Sequence, residues 1–231
     1  MLISMNPKQR AAEAALSYVQ SGMIVGLGTG STADFFLQAL AAALKSGQIS
    51  RLRGVPTSLQ SERRSLELGI PVATLAECPT PDMTIDGADE VDPNLNLIKG
   101  LGGALLREKV VAQNSKKLII IADKSKTVSY LGEHSPLPVE VTVFGHEVQE
   151  AFLRSLGCQP TLRRDAAGRI FTTDNGNYIF DCKYTKIANP AVLELKLKSR
   201  AGIVETGLFL GLAQVVLVGT EAGVETRTRV A

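Results

Sequence analysis

The sequence predicts an α/β protein built on a parallel sheet, with a smaller α+β domain inserted into it. Three observations carry that prediction. Short apolar strands alternate with helical segments through residue 126, at the spacing of crossover connections. The pattern changes at Pro136-Leu137-Pro138, and the segments beyond it follow the order β-α-β-β-α-β. The apolar run Val215-Val216-Leu217-Val218 then reads as a buried strand that rejoins the first sheet.

Residues 7–21 read as an amphipathic helix, with Pro7 in its first turn and Gly22 just past its end. A buried strand at 23–27 leads into a glycine-rich turn at 28–32 and a helix at 33–44 rich in Ala, Leu and Phe. A strand at 52–56 precedes a helix at 58–68 that Gly69 ends. Short strands at 72–75 and 83–86 follow, then a helix at 105–114 and the clearest buried strand, 117–122. In the second pattern the strands fall at 139–144, 159–163, 178–182 and 203–205, and the helices at 147–156 and 190–199. Asp174-Asn175-Gly176-Asn177 makes a turn between two of those strands. The expectation is a Rossmann-like parallel-sheet catalytic domain over 1–133 and 207–231, interrupted by a ferredoxin-like domain over 134–206.

Composition narrows the function. A chain of 231 residues suits one large domain or a main domain with a satellite. Its 45 % apolar and 21 % charged residues are ordinary for a globular protein. A net charge of +2 gives no footprint for nucleic acid, and no apolar run is long enough to span a bilayer. The first residues lack the layout of a signal peptide. Cys78, Cys158 and Cys182 are scattered and odd in number, which argues against a disulfide framework and for the reducing cytoplasm. The only histidines are His134 and His146, without Cys-x-x-Cys or His-x-x-x-His, so a zinc site has few ligands to draw on. Asp86 and Asp89 could still hold a Mg²⁺.

Parallel sheets bind ligands at the carboxyl ends of their strands, and 28–32, 86–90 and 123–126 all sit at such ends. Gly26-x-Gly28-x-Gly30-Ser31-Thr32 opens a helix, whose N-terminal amides suit a phosphate. A tight turn with Ser31 or Thr32 as N-cap is the plainer reading. A dinucleotide fingerprint fits less well, because the acidic residue it needs is replaced by Gln48-Ile49-Ser50-Arg51. Asp86-Gly87-Ala88-Asp89-Glu90, Ile98-Lys99-Gly100-Leu101-Gly102-Gly103 and Arg107-Glu108-Lys109 hold four carboxylates and three cations among glycines. That mixture suits proton transfer on an anionic substrate, although each residue alone also fits a solvated turn or helix face. Lys126 and Lys8 could each neutralise a phosphate.

These segments, with Ile121-Ala-Asp-Lys-Ser-Lys126, Leu137-Pro-Val-Glu-Val141 and Thr173-Asp-Asn-Gly-Asn177, resemble the type A ribose-5-phosphate isomerase family, in order and over nearly the whole chain. The resemblance implies a cofactor-free enzyme of the pentose phosphate pathway that interconverts ribose 5-phosphate and ribulose 5-phosphate. It implies a homodimer or homotetramer. It assigns Thr29, Gly30, Ser31 and Thr32 to a phosphate loop, and Asp86, Gly87, Ala88 and Asp89 to a sugar-contacting loop. Lys99, Gly100, Leu101 and Gly102 match a lysine-glycine loop, Glu108 the proton acceptor, Lys126 a substrate-binding lysine and Lys8 a phosphate-facing lysine. Leu101 departs from the family's Lys-Gly-Gly-Gly. A backbone contact there survives only if the local dihedrals suit a non-glycine residue.

The chemistry implied is movement of a proton between C1 and C2 through an enediolate, which needs a base and an oxyanion stabiliser. Glu108 would be the base, Lys99 and its loop amides the stabiliser, and Asp86 the group that assists ring opening and proton transfer between hydroxyl oxygens. Asp89 would orient Lys99 or a substrate hydroxyl. Two rivals remain at this point. A CoA transferase would form a glutamyl thioester with acyl-CoA, and a sugar-phosphate sensor would bind without turnover.

Overall fold

The structure is a computed structural model that describes residues 6–229. It contains two compact units, one of 6–88, 107–126 and 211–229, the other of 89–106 and 127–210.

The first unit is a six-stranded sheet with helices on it. Its elements are α1 (Pro7–Leu16), β1 (Ile24–Leu27), α2 (Ser31–Lys45), β2 (Arg53–Pro56), α3 (Leu59–Glu67) and β3 (Met83–Asp86). Two-residue strands β4 (Glu90–Val91) and β5 (Leu97–Ile98) belong to the second unit. After them come α4 (Leu105–Asn114) and β6 (Leu118–Asp123). The sheet is completed from the chain's far end by β12 (Val215–Gly219) and β13 (Val224–Thr228). The strand order is β13-β12-β6-β3-β1-β2, parallel except for the antiparallel edge strand β13. Alternate residues of the strands, Val25 and Leu27, Ile119 and Ile121, Val215 and Leu217, share one core with Ala11, Ala12 and Ala15 of α1 and Phe36, Leu37 and Leu40 of α2. A smaller apolar cluster joins Val111 of α4 to Val55, Ala73 and Cys78.

The second unit carries β7 (Leu137–Val141), α5 (His146–Ser155), β8 (Gln159–Leu162), β9 (Tyr178–Lys183), α6 (Pro190–Lys198) and β10 (Ile203–Thr206). Its four-stranded antiparallel sheet has the order β10-β7-β9-β8, which is the ferredoxin-like arrangement. β11 (Leu208–Phe209) pairs with β5, and β5 with β4, in a three-stranded sheet.

Four expectations change. The second unit is wider than 134–206, because Ile98 and Leu208 join the apolar cluster of Leu137, Val139 and Phe180 and bring their strands with them. The first helix stops at Leu16, where Ser17 remains helical in φ and ψ but the chain passes into turns. Residues 72–75 form no strand, since Val72 makes a single bridge to Gly54. The helix after the glycine turn starts at Ser31 rather than residue 33. β13 went unread because its residues Val-Glu-Thr-Arg-Thr are nearly all exposed and lack a hydrophobic signal.

Candidate active site

In the first unit the loops after β1, β2, β3 and β6 leave neighbouring parallel strands at their carboxyl ends. The three glycines of the Gly-x-Gly-x-Gly run, the first of them still in β1, serve different ends. A Cβ on Gly26 would fall 1.9 Å from Thr84 Oγ1, so that position is fixed by packing. A Cβ on Gly28 would fall 2.3 Å from Asp86 Oδ1, so that position makes room for the carboxylate. Gly30 is the helix N-cap, at φ +106°, with nothing near the missing Cβ. It offers no side-chain cap, so the first amides of α2 are not taken by a capping side chain. Ser31 and Thr32 lie inside the helix and are not caps.

Thr29 ties three loops together. Its amide donates to Asp86 Oδ1 at 3.0 Å, and Gly87 donates to the same oxygen at 2.7 Å. Its hydroxyl lies 2.8 Å from Thr57 Oγ1 and donates to Ser58 Oγ at 2.8 Å. Thr57 and Ser58, in the loop after β2, are buried, and Ser58 caps α3 through Ser61. Asp86 is itself only 1 % exposed. Thr57 and Ser58 were missed in the sequence, although the strand-end rule that picked out the other loops applies equally after Pro56.

The cationic end of this unit is built from α1 and the loop after β6. Lys8 Nζ donates to Ser31 Oγ at 3.0 Å. Burial pushes the Asp123 carboxyl up, but hydrogen bonds from Ser125 and the nearby charges of Lys8 and Lys126 outweigh it and hold the group below its usual range. Lys8, Asp123, Lys126 and Thr220 line a cavity of about 900 Å³. On the other flank of the glycine loop, Thr29, Gly30, Ser31 and Asp34 line a second cavity of about 580 Å³. Glu108 lies in the first turn of α4 and is buried, at 5 % exposure, with Lys109 beside it at 3 %.

Asp89 and the lysine-glycine loop belong to the second unit. The amide of Asp89 donates to Ile98 O at 2.9 Å, and its Oδ2 accepts from the Leu101 amide at 2.9 Å. Lys99 extends the β5–β11 pairing, its amide donating to Gly207 O at 2.9 Å. Its side chain is buried, with the ammonium 5.5 Å above the Phe209 ring. Residues 100–103 form a tight turn closed by Gly103 N–H on Gly100 O at 2.9 Å. Gly100 has φ +106°, whereas Leu101 is outside the left-handed region, so the leucine costs the turn nothing. Among the described residues, no three His, Cys, Asp or Glu side chains gather as a metal-holding group. No helix among them is long and apolar enough to cross a membrane.

A parallel sheet with hydroxyls, lysines and buried carboxylates on its strand-end loops defines an α/β protein equipped to hold an anionic small molecule. Residues 53–223 match the family model for ribose 5-phosphate isomerase A (phosphoriboisomerase A). The chain is 50 % identical to ribose-5-phosphate isomerase A of Roseiflexus castenholzii over 217 residues, covering 94 % of this chain and 93 % of the relative. It is 51 % identical to that of Synechococcus sp. (strain JA-3-3Ab) over 220 residues, 95 % of each chain. The solved structure of ribose 5-phosphate isomerase from Plasmodium falciparum superposes with a TM-score of 0.94 at 41 % identity, covering 97 % of this chain and 99 % of that one. A D-ribose-5-phosphate isomerase in complex with phospho-erythronic acid gives 0.94 at 40 % identity, with 97 % and 100 % covered. The chain belongs to the ribose 5-phosphate isomerase A family. It is an aldose–ketose isomerase of the pentose phosphate pathway.

Proposed function

We propose that the chain interconverts D-ribose 5-phosphate and D-ribulose 5-phosphate through an enediolate, with the residues named above in the following roles. The phosphate binds the amides at the start of α2 together with Ser31, Thr32, Lys8 and Lys126, where helix-terminal N–H groups and ammonium charge complement a dianion. Binding energy from that end holds the reacting carbons in place. Asp86, its Oδ1 fixed by two amides, moves a proton between ring oxygen and hydroxyl as the furanose opens. Glu108 takes the proton from C2 of the open aldose and returns it to C1 of the enediolate, while the O2 hydroxyl proton passes to O1 with the help of Asp86, so no proton is lost overall. The Lys99 ammonium and the Gly102 amide stabilise the oxygen that becomes negative. Leu101 belongs to the lysine-glycine loop that contacts the substrate, and its amide ties that loop to Asp89.

The observation that carries the phosphate assignment is the bond from Lys8 to Ser31 at the start of α2, together with the cavity that Lys8, Asp123 and Lys126 line. The three buried free cysteines suit a reducing compartment, and we place the enzyme in the cytoplasm as a homodimer or homotetramer. The test is a coupled assay of ketose formation from ribose 5-phosphate and from ribose. Turnover of the phosphorylated sugar, with kcat/KM for free ribose lower by on the order of a thousandfold, supports the reading. Binding of ribose 5-phosphate without conversion would remove it. Activity that EDTA abolishes and Mg²⁺ restores would make Asp86 and Asp89 metal ligands instead.

A further inference from the structure

The residue that sets the lysine-glycine loop is Arg163, just past β8 and far from that loop in sequence. Its Nη1 donates to Gly100 O at 3.0 Å and to Leu101 O at 3.1 Å. Its Nε donates to Asp181 Oδ2 at 2.8 Å, and Nη2 reaches the other oxygen of that carboxylate. Four contacts therefore fix the planar guanidinium. Phe171 closes the arrangement: its ring centroid lies 5.7 Å from Arg163 Cζ, and a Cβ on Gly103 would fall 2.5 Å from its Cζ. The Arg163 side chain is only 11 % exposed and that of Asp181 23 %. A guanidinium held that far from water costs desolvation, which a merely apolar brace at this position would avoid.

The consequence for the loop follows from peptide geometry. In a trans planar peptide the C=O and N–H point in opposite directions. Arg163 holds two successive carbonyls on its own side, so the amides of Leu101 and Gly102 are turned away from it. The Leu101 amide is found where this requires, on Asp89 Oδ2. The guanidinium charge on Leu101 O also polarises the 101–102 peptide and makes the Gly102 N–H a stronger donor.

We propose that Arg163 is a positioning residue for isomerisation: by gripping the carbonyls of Gly100 and Leu101, it presents the Gly102 amide to the oxygen that gains charge in the enediolate. Asp181 holds Arg163 in that pose. This rests on the reaction proposed above. A donor that is aimed at developing charge lowers the barrier rather than the ground state, so its loss is read in kcat.

The test compares Arg163→Met, Arg163→Lys and Asp181→Asn with the wild type for kcat, KM and thermal unfolding. Arg163→Met should lower kcat at least about tenfold while KM stays within about twofold, the pattern of a displaced oxyanion donor. Arg163→Lys should recover part of that loss, since an ammonium can reach one carbonyl but cannot hold Asp181 with two parallel bonds. Asp181→Asn should give a smaller fall of the same kind. An active wild type with unchanged kcat in a folded Arg163→Met protein, or a loss confined to KM, overturns this inference alone. If Arg163→Met does not fold, wild-type kcat in both Arg163→Lys and Asp181→Asn overturns it. A wild type that does not isomerise ribose 5-phosphate overturns the reading of the reaction, and this inference with it.

Discussion

The two units use charged groups differently. In the first, Lys8 and Lys126 line a cavity at the ends of parallel strands, and Lys8 also donates to the hydroxyl of Ser31. In the second, carboxylates close on the chain itself. Glu90, fully buried, accepts the amides of Gly132 at 2.6 Å, His134 at 2.7 Å and Ser135 at 2.6 Å. Glu140 accepts from Thr173 and Asn177, each at 2.9 Å, and Asp181 grips Arg163. Glu90, with backbone amides on both of its oxygens, is a clamp. A cation on a cavity wall keeps capacity for a ligand. Charge alone therefore says little about function, and the partner of each charge says a great deal.

The largest effect expected is on turnover. Glu108→Gln should lower kcat by about 10²–10⁴, roughly 2.7–5.4 kcal/mol in barrier, with KM nearly unchanged. Near-wild-type turnover in the coupled assay would take the base away from this residue. The counterpart in the second unit is Glu90→Ala, which strands one buried and two partly buried amides and should cost about 3 kcal/mol or more of stability. Urea denaturation measures it. A loss below about 1 kcal/mol would mean that the 132–135 segment finds other partners and that Glu90 is no clamp.

Much of this arrangement was legible in the sequence because it is local. Glycine and polar residues at the end of an apolar strand are a short-range signal, and they located Asp86 and Asp123 at the last positions of β3 and β6 and Ser31 at the start of α2. The order of segments in the smaller domain was equally readable, since each helix has a terminating glycine or an opening proline. What was not legible depends on long-range pairing. Nothing near Arg163 announces that it will meet carbonyls more than sixty residues earlier. The strands of Glu90–Val91, Leu97–Ile98 and Leu208–Phe209 are two residues each, too short for any periodicity, yet their pairing moves the boundary between the units. Gly26 was read with its neighbours as part of a phosphate-binding turn, whereas it lies in β1 against Thr84.

Lys8→Met tests the cavity-facing side of the comparison at smaller scale. Loss of one charge-assisted contact to a phosphate should raise KM by about tenfold and leave kcat within about threefold. A fall in kcat with KM unchanged would place Lys8 outside phosphate binding.

The smallest effect expected concerns Glu140, and it carries a definite sign. Burial pushes this carboxyl above its usual range, Asn177 and Thr173 pull it back in part, and Glu205 opposite it on β10 pushes it further up. The folded state thus holds its proton more tightly than the unfolded chain does. Stability from this group is complete below the ordinary glutamate range and is lost as pH rises through that range toward the raised folded value. Glu140→Gln keeps an acceptor for Thr173 and Asn177 but cannot ionise, so its thermal midpoint should lack that decline. Midpoints of both proteins between about pH 4 and pH 8 would show the curves diverging as pH rises. Parallel curves would mean that Thr173 and Asn177 stabilise the carboxylate fully, which would make Glu140 a clamp of the same kind as Glu90.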